Sequence, residues 1–290
     1  MSHPAPRHSA PRRWAHWLGR SLARVHYARH VEPTWLEVNR VEVPVADLPA
    51  AFDGFRVIQL SDLHCSDKVG PEFIDEAIDL ALAERPDAVV ITGDFIHHGF
   101  RHIPQVAGHV RRLTAPHGVF AVLGNHDYSI RNALGLRRHR LLHRAVAAAL
   151  SAEGVRVLRN ETVPLERNGS AVDLAGVDDL WSRTCDLDRA LAGCDPGRPR
   201  LVLAHNPRTV EHLAGRRCDL MLSGHTHGGQ IDLPRLGRVT LGRKARRYAA
   251  GMYELEGTWL YVNKGVGFGW RLRYNVRPEV AVLVLKPLAC

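Results

Sequence analysis

No run of 18 or more apolar residues occurs in the 290-residue chain, so no membrane-spanning helix is expected. Cysteine is scarce and does not come in pairs. The five residues Cys65, Cys185, Cys194, Cys218 and Cys290 are odd in number and contain no C-x-x-C spacing. That argues against a disulfide-built scaffold and suits a reducing compartment. The N-terminus lacks the long apolar region of a secretory signal, and its Arg12-Arg13 pair is followed by none. A cytoplasmic location is therefore expected. Acidic residues are missing from the first 31 positions, where Arg7, Arg12, Arg13, Arg20, Arg24 and Arg29 place +6 of the total +9. The remaining body is close to +3, so the excess belongs to an arm. A nucleic-acid binder would spread its charge more widely, and no specific nucleic-acid partner is expected. There is no internal repeat, low-complexity tract or second linker.

From Arg12 to Arg29 the pattern is helical. Trp14, Trp17, Leu18, Leu22 and Val25 share one face, and Arg13, His16, Arg20 and Arg24 the other. A basic amphipathic helix with tryptophans is the composition of a segment lying on an anionic membrane surface. The same spacing fits a helix packed on the body, and periodicity does not choose between lipid and protein. Residues 1–31 are read as this arm, and 35–290 as one large domain.

Within that domain residues 35–45 alternate as a strand. Three apolar strands then follow (55–60, 88–91 and 119–123), with helices over 72–84 and about 104–113 between them. Each strand runs into a polar cluster: Ser61-Asp62-Leu63-His64, Thr92-Gly93-Asp94 and Gly124-Asn125-His126-Asp127. This is βαβ logic, with a parallel sheet gathering polar groups at the C-terminal ends of its strands. After an arginine-rich segment and a helix ending near residue 150, residues 155–158, 163–166 and 171–177 read as antiparallel strands. Strands at 201–204 and 219–222 run into His205-Asn206-Pro207 and Ser223-Gly224-His225-Thr226-His227-Gly228-Gly229-Gln230. The last stretch is read as extended, so its two histidines at i, i+2 are expected to point to one side and converge on one metal-site position.

Singly, each cluster has a bland explanation. Asp-x-His at a strand end caps turns or helices, Gly-Asp and Gly-Asn are turn dipeptides, and His205 suits a loop. Together they deliver seven oxygen and nitrogen groups to one sheet edge, each after a buried strand. The ordered blocks D-x-H, G-D, G-N-H-D, lone H and G-H-x-H resemble the calcineurin-like metallophosphoesterase family over roughly residues 35–287. The fuller strings S-D-L-H, T-G-D-F, V-L-G-N-H-D-Y, A-H-N-P and L-S-G-H-T-H-G-G-Q, with Pro278-Glu279-Val280, look like its bacterial YkuE/YaeI-type phosphodiesterase branch. Relatives in and near that branch include hydrolases of the lipid A precursor UDP-2,3-diacylglucosamine.

The resemblance implies an α/β fold, a four-layer αββα sandwich of mixed sheets flanked by helices. It also implies two divalent metal ions, one held by Asp62, His64, Asp94 and His227 and the other by Asp94, Asn125, His205 and His225, with Asp94 shared. Oxygen and nitrogen ligation without thiolate suits Mn²⁺ first, then Fe or Zn²⁺. The implied chemistry is attack of a metal-bridging hydroxide on an anionic phosphodiester or pyrophosphate. His126 is implied to protonate or stabilise the leaving oxygen, with Asp127 orienting it. Cys65 is read as a small buried side chain. His97 or His98 lines the cleft or sits in a solvated loop. The cations of residues 235–247 attract an anionic head group or are merely solvated, and Asn263-Lys264 is a candidate to reach the site. The expected function is hydrolysis of a phosphodiester or pyrophosphate, with a lipid-linked substrate at the inner membrane face. The alternatives are a broad phosphodiesterase or nuclease and a non-catalytic metal-binding scaffold.

Overall fold

The computed structural model describes residues 19–131, 134 and 136–288. The strands in chain order are β1 (Glu37–Val45), β2 (Arg56–Leu60), β3 (Ala88–Thr92), β4 (Val119–Val122), β5 (Arg156–Val157), β6 (Glu161–Arg167), β7 (Ser170–Gly176), β8 (Arg200–Leu203), β9 (Leu220–Ser223), β10 (Gly251–Leu255), β11 (Thr258–Val262) and β12 (Glu279–Pro287). The helices are α1 (Pro71–Ala83), α2 (Ile103–Val110), α3 (Leu142–Ala152), α4 (Leu187–Leu191) and α5 (Arg243–Arg246).

Two six-stranded mixed sheets result, in the orders β1-β12-β2-β3-β4-β5 and β10-β11-β9-β8-β7-β6. In the first, β2, β3, β4 and β5 are parallel; in the second, β7, β8, β9 and β11 are. All five residues of β3 are buried, as expected of a parallel strand covered on both faces. Helix α1 starts with Pro71 after Gly70 and turns Phe73, Ile74, Ala77, Ile78 and Ala81 inward. Those side chains join α2 and α3 in one apolar layer over the first sheet. A second layer, with Phe52, Phe55, Leu174 and Leu222, lies between the sheets, and a third packs α4 and the turn Pro207–His212 on the far face. Helices, sheet, sheet, helices: the expected four-layer sandwich is observed.

Strand direction decides what meets what. Every parallel strand ends at one common edge. Strand β12 is antiparallel to β2 and β1 parallel to β12, so both of these begin at that same edge. The arm enters the body there. Residues 12–18 of the helix expected over 12–29 lie outside the described residues; residues 19–26 are helical, with Leu22 62% and Val25 55% exposed. The described part of the apolar face is therefore not packed on the body. Attachment comes later, where Ala28 O accepts the Arg273 N–H at 2.9 Å and the buried Glu32 accepts that of Val276.

Two expectations are corrected. The strand around residue 156 is parallel to β4, not antiparallel, because it extends the first sheet instead of opening the second. The second helix stops at Val110, after which the chain turns over toward β4.

Candidate metal centre

The polar clusters leave their strands by a conformation that periodicity did not anticipate. Asp62, His64, Asp94, His225 and His227 all have positive φ, between 45° and 72°. The His225–His227 stretch is thus not extended, and its rings do not converge through strand alternation. Left-handed residues fold the ends of β2, β3 and β9 sharply inward, a costly geometry for non-glycine residues that concentrates at functional sites. Glycines allow the close approach this needs. A Cβ on Gly224 would lie 1.9 Å from Ser61 Oγ and 2.3 Å from Asp62 Oδ2, and one on Gly124 would lie 2.2 Å from Asp94 Oδ1.

The structure brings all seven sequence-derived ligand candidates together where the two sheet edges meet. His64 Nε2 and His227 Nε2 face each other at 3.0 Å, with Asp62 Oδ1 3.3 Å from the latter. On the other side His205 Nε2 lies 3.2 Å from His225 Nδ1 and 3.1 Å from Asn125 Oδ1. Asp94 Oδ2 sits between the halves, 3.6 Å from His64 Nε2 and 3.4 Å from His205 Nε2. Two groups, Asp62/His64/His227 and Asp62/Asp94/His205, could each hold an ion, and so could His64/His97/His126.

Burial lowers the affinity of His64 and His227 for protons and takes His225 down to about 3, so these rings are bare nitrogen donors at neutral pH. His205 goes the other way: burial opposes it, but Asp94, Asp62 and Asp179 hold its pKa up at about 10. Burial and the Asp94 charge push Asp62 up to about 6, although His205 opposes. For Asp94 burial is outweighed by His205 and His126, and its carboxylate is held well below its ordinary range.

These residues fit divalent cations. Ring nitrogens 3.0 Å apart share either a neutral N–H···N hydrogen bond or a cation, and the Asp62 carboxylate 3.3 Å from His227 Nε2 favours the cation. Asp62 Oδ1 is buried with no hydrogen-bond partner, although it points at the same spot. An all-nitrogen-and-oxygen donor set, with one carboxylate reaching both halves, suits a pair of ions.

Supporting side chains depart from expectation in one respect. Asp127 does not orient His126. It is fully buried and accepts the N–H groups of Asp94, Phe95, Ile96 and Gly124, while His126 Nδ1 donates to the His97 carbonyl at 2.6 Å. The reason is steric order: the sharp turn at residues 124–127 carries the carboxylate under the Asp94 loop and the imidazole into the cleft. His97 stacks on His126 with centroids 5.1 Å apart and lines the cleft. Cys65 is buried and its thiol is pushed up to about 12, which leaves it un-ionised. Lys264 pairs with Glu37 and Glu279 and does not line the cleft, while Asn263 Oδ1 accepts from Gly265 N and shapes the neighbouring loop.

The cleft holds about 520 Å³, with Lys68, Arg131, Trp181, Gln230 and Trp270 on its walls. Trp181 stands edge-on to His225, at 4.5 Å between centroids, in a turn capped by the buried Asp179. Sequence reasoning missed both, although Asp179 follows the apolar strand β7 as the other candidates follow theirs. It also missed Arg273, which no local pattern marks. That guanidinium is fully buried and donates to the carbonyls of Lys264, Gly265, Gly267 and Val276. The loop it braces touches the site, since Val266 and Gly267 donate to Ser61 O and Asp62 O.

Comparison with known proteins supports the same reading. Residues 55–229 match the family model described as calcineurin-like phosphoesterase. The metallophosphoesterase YkuE of Bacillus subtilis is 33% identical over 265 residues, covering 90% of this chain and 89% of its own. Phosphodiesterase YaeI of Escherichia coli is 32% identical, covering 89% of this chain and 92% of its own. The UDP-2,3-diacylglucosamine pyrophosphatase LpxG of Chlamydia trachomatis is 31% identical, covering 89% and 91%.

Proposed function

The chain belongs to the calcineurin-like phosphoesterase family, and on that premise we propose that it cleaves a phosphodiester or pyrophosphate bond of a lipid-linked anionic substrate. The observation that carries the reading is Asp94 Oδ2 between His64 and His205, with every other donor grouped around it. Asp62, His64, Asp94 and His227 would hold one ion, and Asp94, Asn125, His205 and His225 the other. Bound there, two divalent cations neutralise the phosphate and furnish a nucleophilic water at neutral pH.

The chain's own residues account for the rest. Lys68 and Arg131 on the cleft wall draw in the anion. His126, tied by Nδ1 to His97, presents Nε2 to the cleft and delivers a proton to the leaving oxygen. Trp181 and the left-handed turns keep His225 and its neighbours from relaxing away. Support for the lipid-linked character comes from LpxG, whose name describes a hydrolase of UDP-2,3-diacylglucosamine, and from the exposed apolar face of the basic arm. Mn²⁺ is the ion proposed.

The test is hydrolysis by the purified full chain with Mn²⁺, using bis(p-nitrophenyl) phosphate, UDP-2,3-diacylglucosamine, nucleotides, phospholipids and DNA. The expected result is cleavage of the aryl diester and of the UDP-lipid, both lost on chelation and in Asp94→Ala. Full activity of Asp94→Ala sinks the metal reading. Preferred cleavage of DNA or free nucleotides replaces the substrate reading with the nuclease one.

A further inference from the structure

We propose that the catalytic mouth is itself a membrane-docking face, so that substrate is taken from the plane of an anionic bilayer. The inference deepens the reading above and rests on it only for the nature of the substrate.

The observation is the distribution of exposed large apolar side chains. Phe100 follows β3, Leu136 and Leu141 follow β4, Leu236 and Val239 follow β9, and Trp270 follows β11. Each loop leaves the sandwich at the edge that carries the candidate ligands. The arm, with exposed Leu22 and Val25, enters at the same edge because β1 begins there. The opposite edge is built from the turns around residues 46–55, 84–87, 111–118, 167–170, 192–199, 214–219 and 256–257. There, among the described residues, Leu288 is the one exposed large hydrophobic. Chance exposure would populate both edges, since scattered surface leucines are ordinary. Apolar tips concentrated on one edge mark an interaction surface.

Charge selects the occupant. Residues 129–141 contain four arginines and no acid, and residues 231–248 contain six cations against Asp232. Residues 264–277 add Arg271, since Arg273 is buried and Lys264 and Arg277 are paired with Glu37. Apolar tips set among arginines and lysines complement an anionic lipid surface, where the tips enter the acyl boundary and the cations meet head groups. On the opposite edge the charges are mixed and mutually paired, as in Arg167–Asp87, Arg198–Asp195 and Arg217–Asp47. The cleft opens between the loops bearing Trp270 and Arg131, which places the candidate ions next to the head-group layer.

The experiment is flotation of the full chain with phosphatidylcholine vesicles containing or lacking phosphatidylglycerol, for wild type, L136E/L236E and L288E, with bis(p-nitrophenyl) phosphate hydrolysis measured alongside. Wild type and L288E are expected to float with the anionic vesicles. L136E/L236E is expected to bind at least about tenfold more weakly, the scale of two lost leucine side chains, while hydrolysing the soluble ester normally. Equal flotation of L136E/L236E, or an equal loss in L288E, overturns the inference. So does a self-association in light scattering that L136E/L236E abolishes while wild type fails to float, which assigns the face to a second copy. Flotation without hydrolysis instead sinks the metal reading and leaves the docking face standing. A second measurement does not depend on the glutamates: brominated phosphatidylglycerol should quench wild-type fluorescence more than that of W270F, and equal quenching counts against the proposal.

Discussion

The carboxylate of Asp127 lies directly beneath the backbone of Asp94, whose N–H it accepts at 2.9 Å on Oδ2, while Oδ1 takes those of Phe95 and Ile96. The proposed shared ligand, Asp94, is therefore aimed by a second aspartate that does not itself reach the cleft. In Asp127→Asn one oxygen becomes an NH₂ group facing N–H donors, so the Asp94 loop must shift. Mn²⁺ affinity measured by calorimetry should fall about 10- to 100-fold, the usual cost of losing such a support. Unchanged affinity would mean that the left-handed turn holds its shape alone.

His126 should act on the leaving group and not on metal retention. His126→Gln is expected to keep Mn²⁺ stoichiometry and to slow hydrolysis by about 10²–10⁴-fold for an alkyl leaving group. For p-nitrophenolate, which needs no proton, the loss should be much smaller. Equal losses for both substrates would remove the proton-donor role.

Close approach of backbone is a requirement of the site, and Gly224 shows it best. The Cβ of Gly224→Ala would overlap Ser61 Oγ and Asp62 Oδ2 inside a fully buried contact. A stability loss of about 1–3 kcal/mol in urea unfolding, the range for overpacking, is expected together with weakened metal binding. Gly257→Ala, in an open hairpin turn with nothing within 4 Å, should cost only the strain of its positive φ and leave metal binding alone.

Arg273 binds three carbonyls of the glycine loop that leans on Asp62, those of Lys264, Gly265 and Gly267, and the carbonyl of Val276. Arg273→Met matches its length but leaves those carbonyls without a donor in a dry interior. A loss of about 1–3 kcal/mol for each buried carbonyl left unsatisfied is expected. Arg273→Lys, with a single ammonium for the planar fork, should recover only part of it. Full stability of the methionine variant would show that water replaces the guanidinium.

Away from the site, Asp75 joins α1 to the end of α2 by accepting from His109 Nδ1 at 2.9 Å and Arg112 Nη1 at 2.7 Å. Burial acts against it, but these bonds win and its pKa is lowered. A depressed carboxylate contributes stability above its unfolded pKa and loses it as pH falls through the folded one. Asp75→Asn should therefore melt below wild type at pH 7, by an amount worth about 0.5 kcal/mol for a solvent-screened contact. The two melting curves should converge as pH falls below the ordinary carboxylate range and through the lowered folded pKa. A gap that persists in acid would trace the effect to packing.

Much of the architecture is local information. Buried strands announce themselves by uninterrupted apolar runs such as Ala88–Ile91, and helices by the 3.6-residue spacing of Phe73, Ile74, Ala77 and Ile78, because burial selects side chains residue by residue. The polar groups at the strand ends followed from the same reading, and parallel connection implies that they share an edge. Partner choice left weaker marks. The two residues of β5 look alike whether they join β4 or face β6, and only the rest of the sheet decides.

What the linear chain determined, then, is which residues arrive at the edge: Asp62, His64, Asp94, Asn125, His126, Asp127, His205, His225 and His227. How they meet was decided by the tertiary structure. The left-handed turns at five of these positions, the placement of Asp127 under the backbone of Asp94 and the packing of the Arg273-braced loop on Asp62 all depend on elements distant in sequence. Hydrophobic patterning is a property of a short window, whereas backbone strain and buried hydrogen bonds are set by whatever the rest of the fold packs against them.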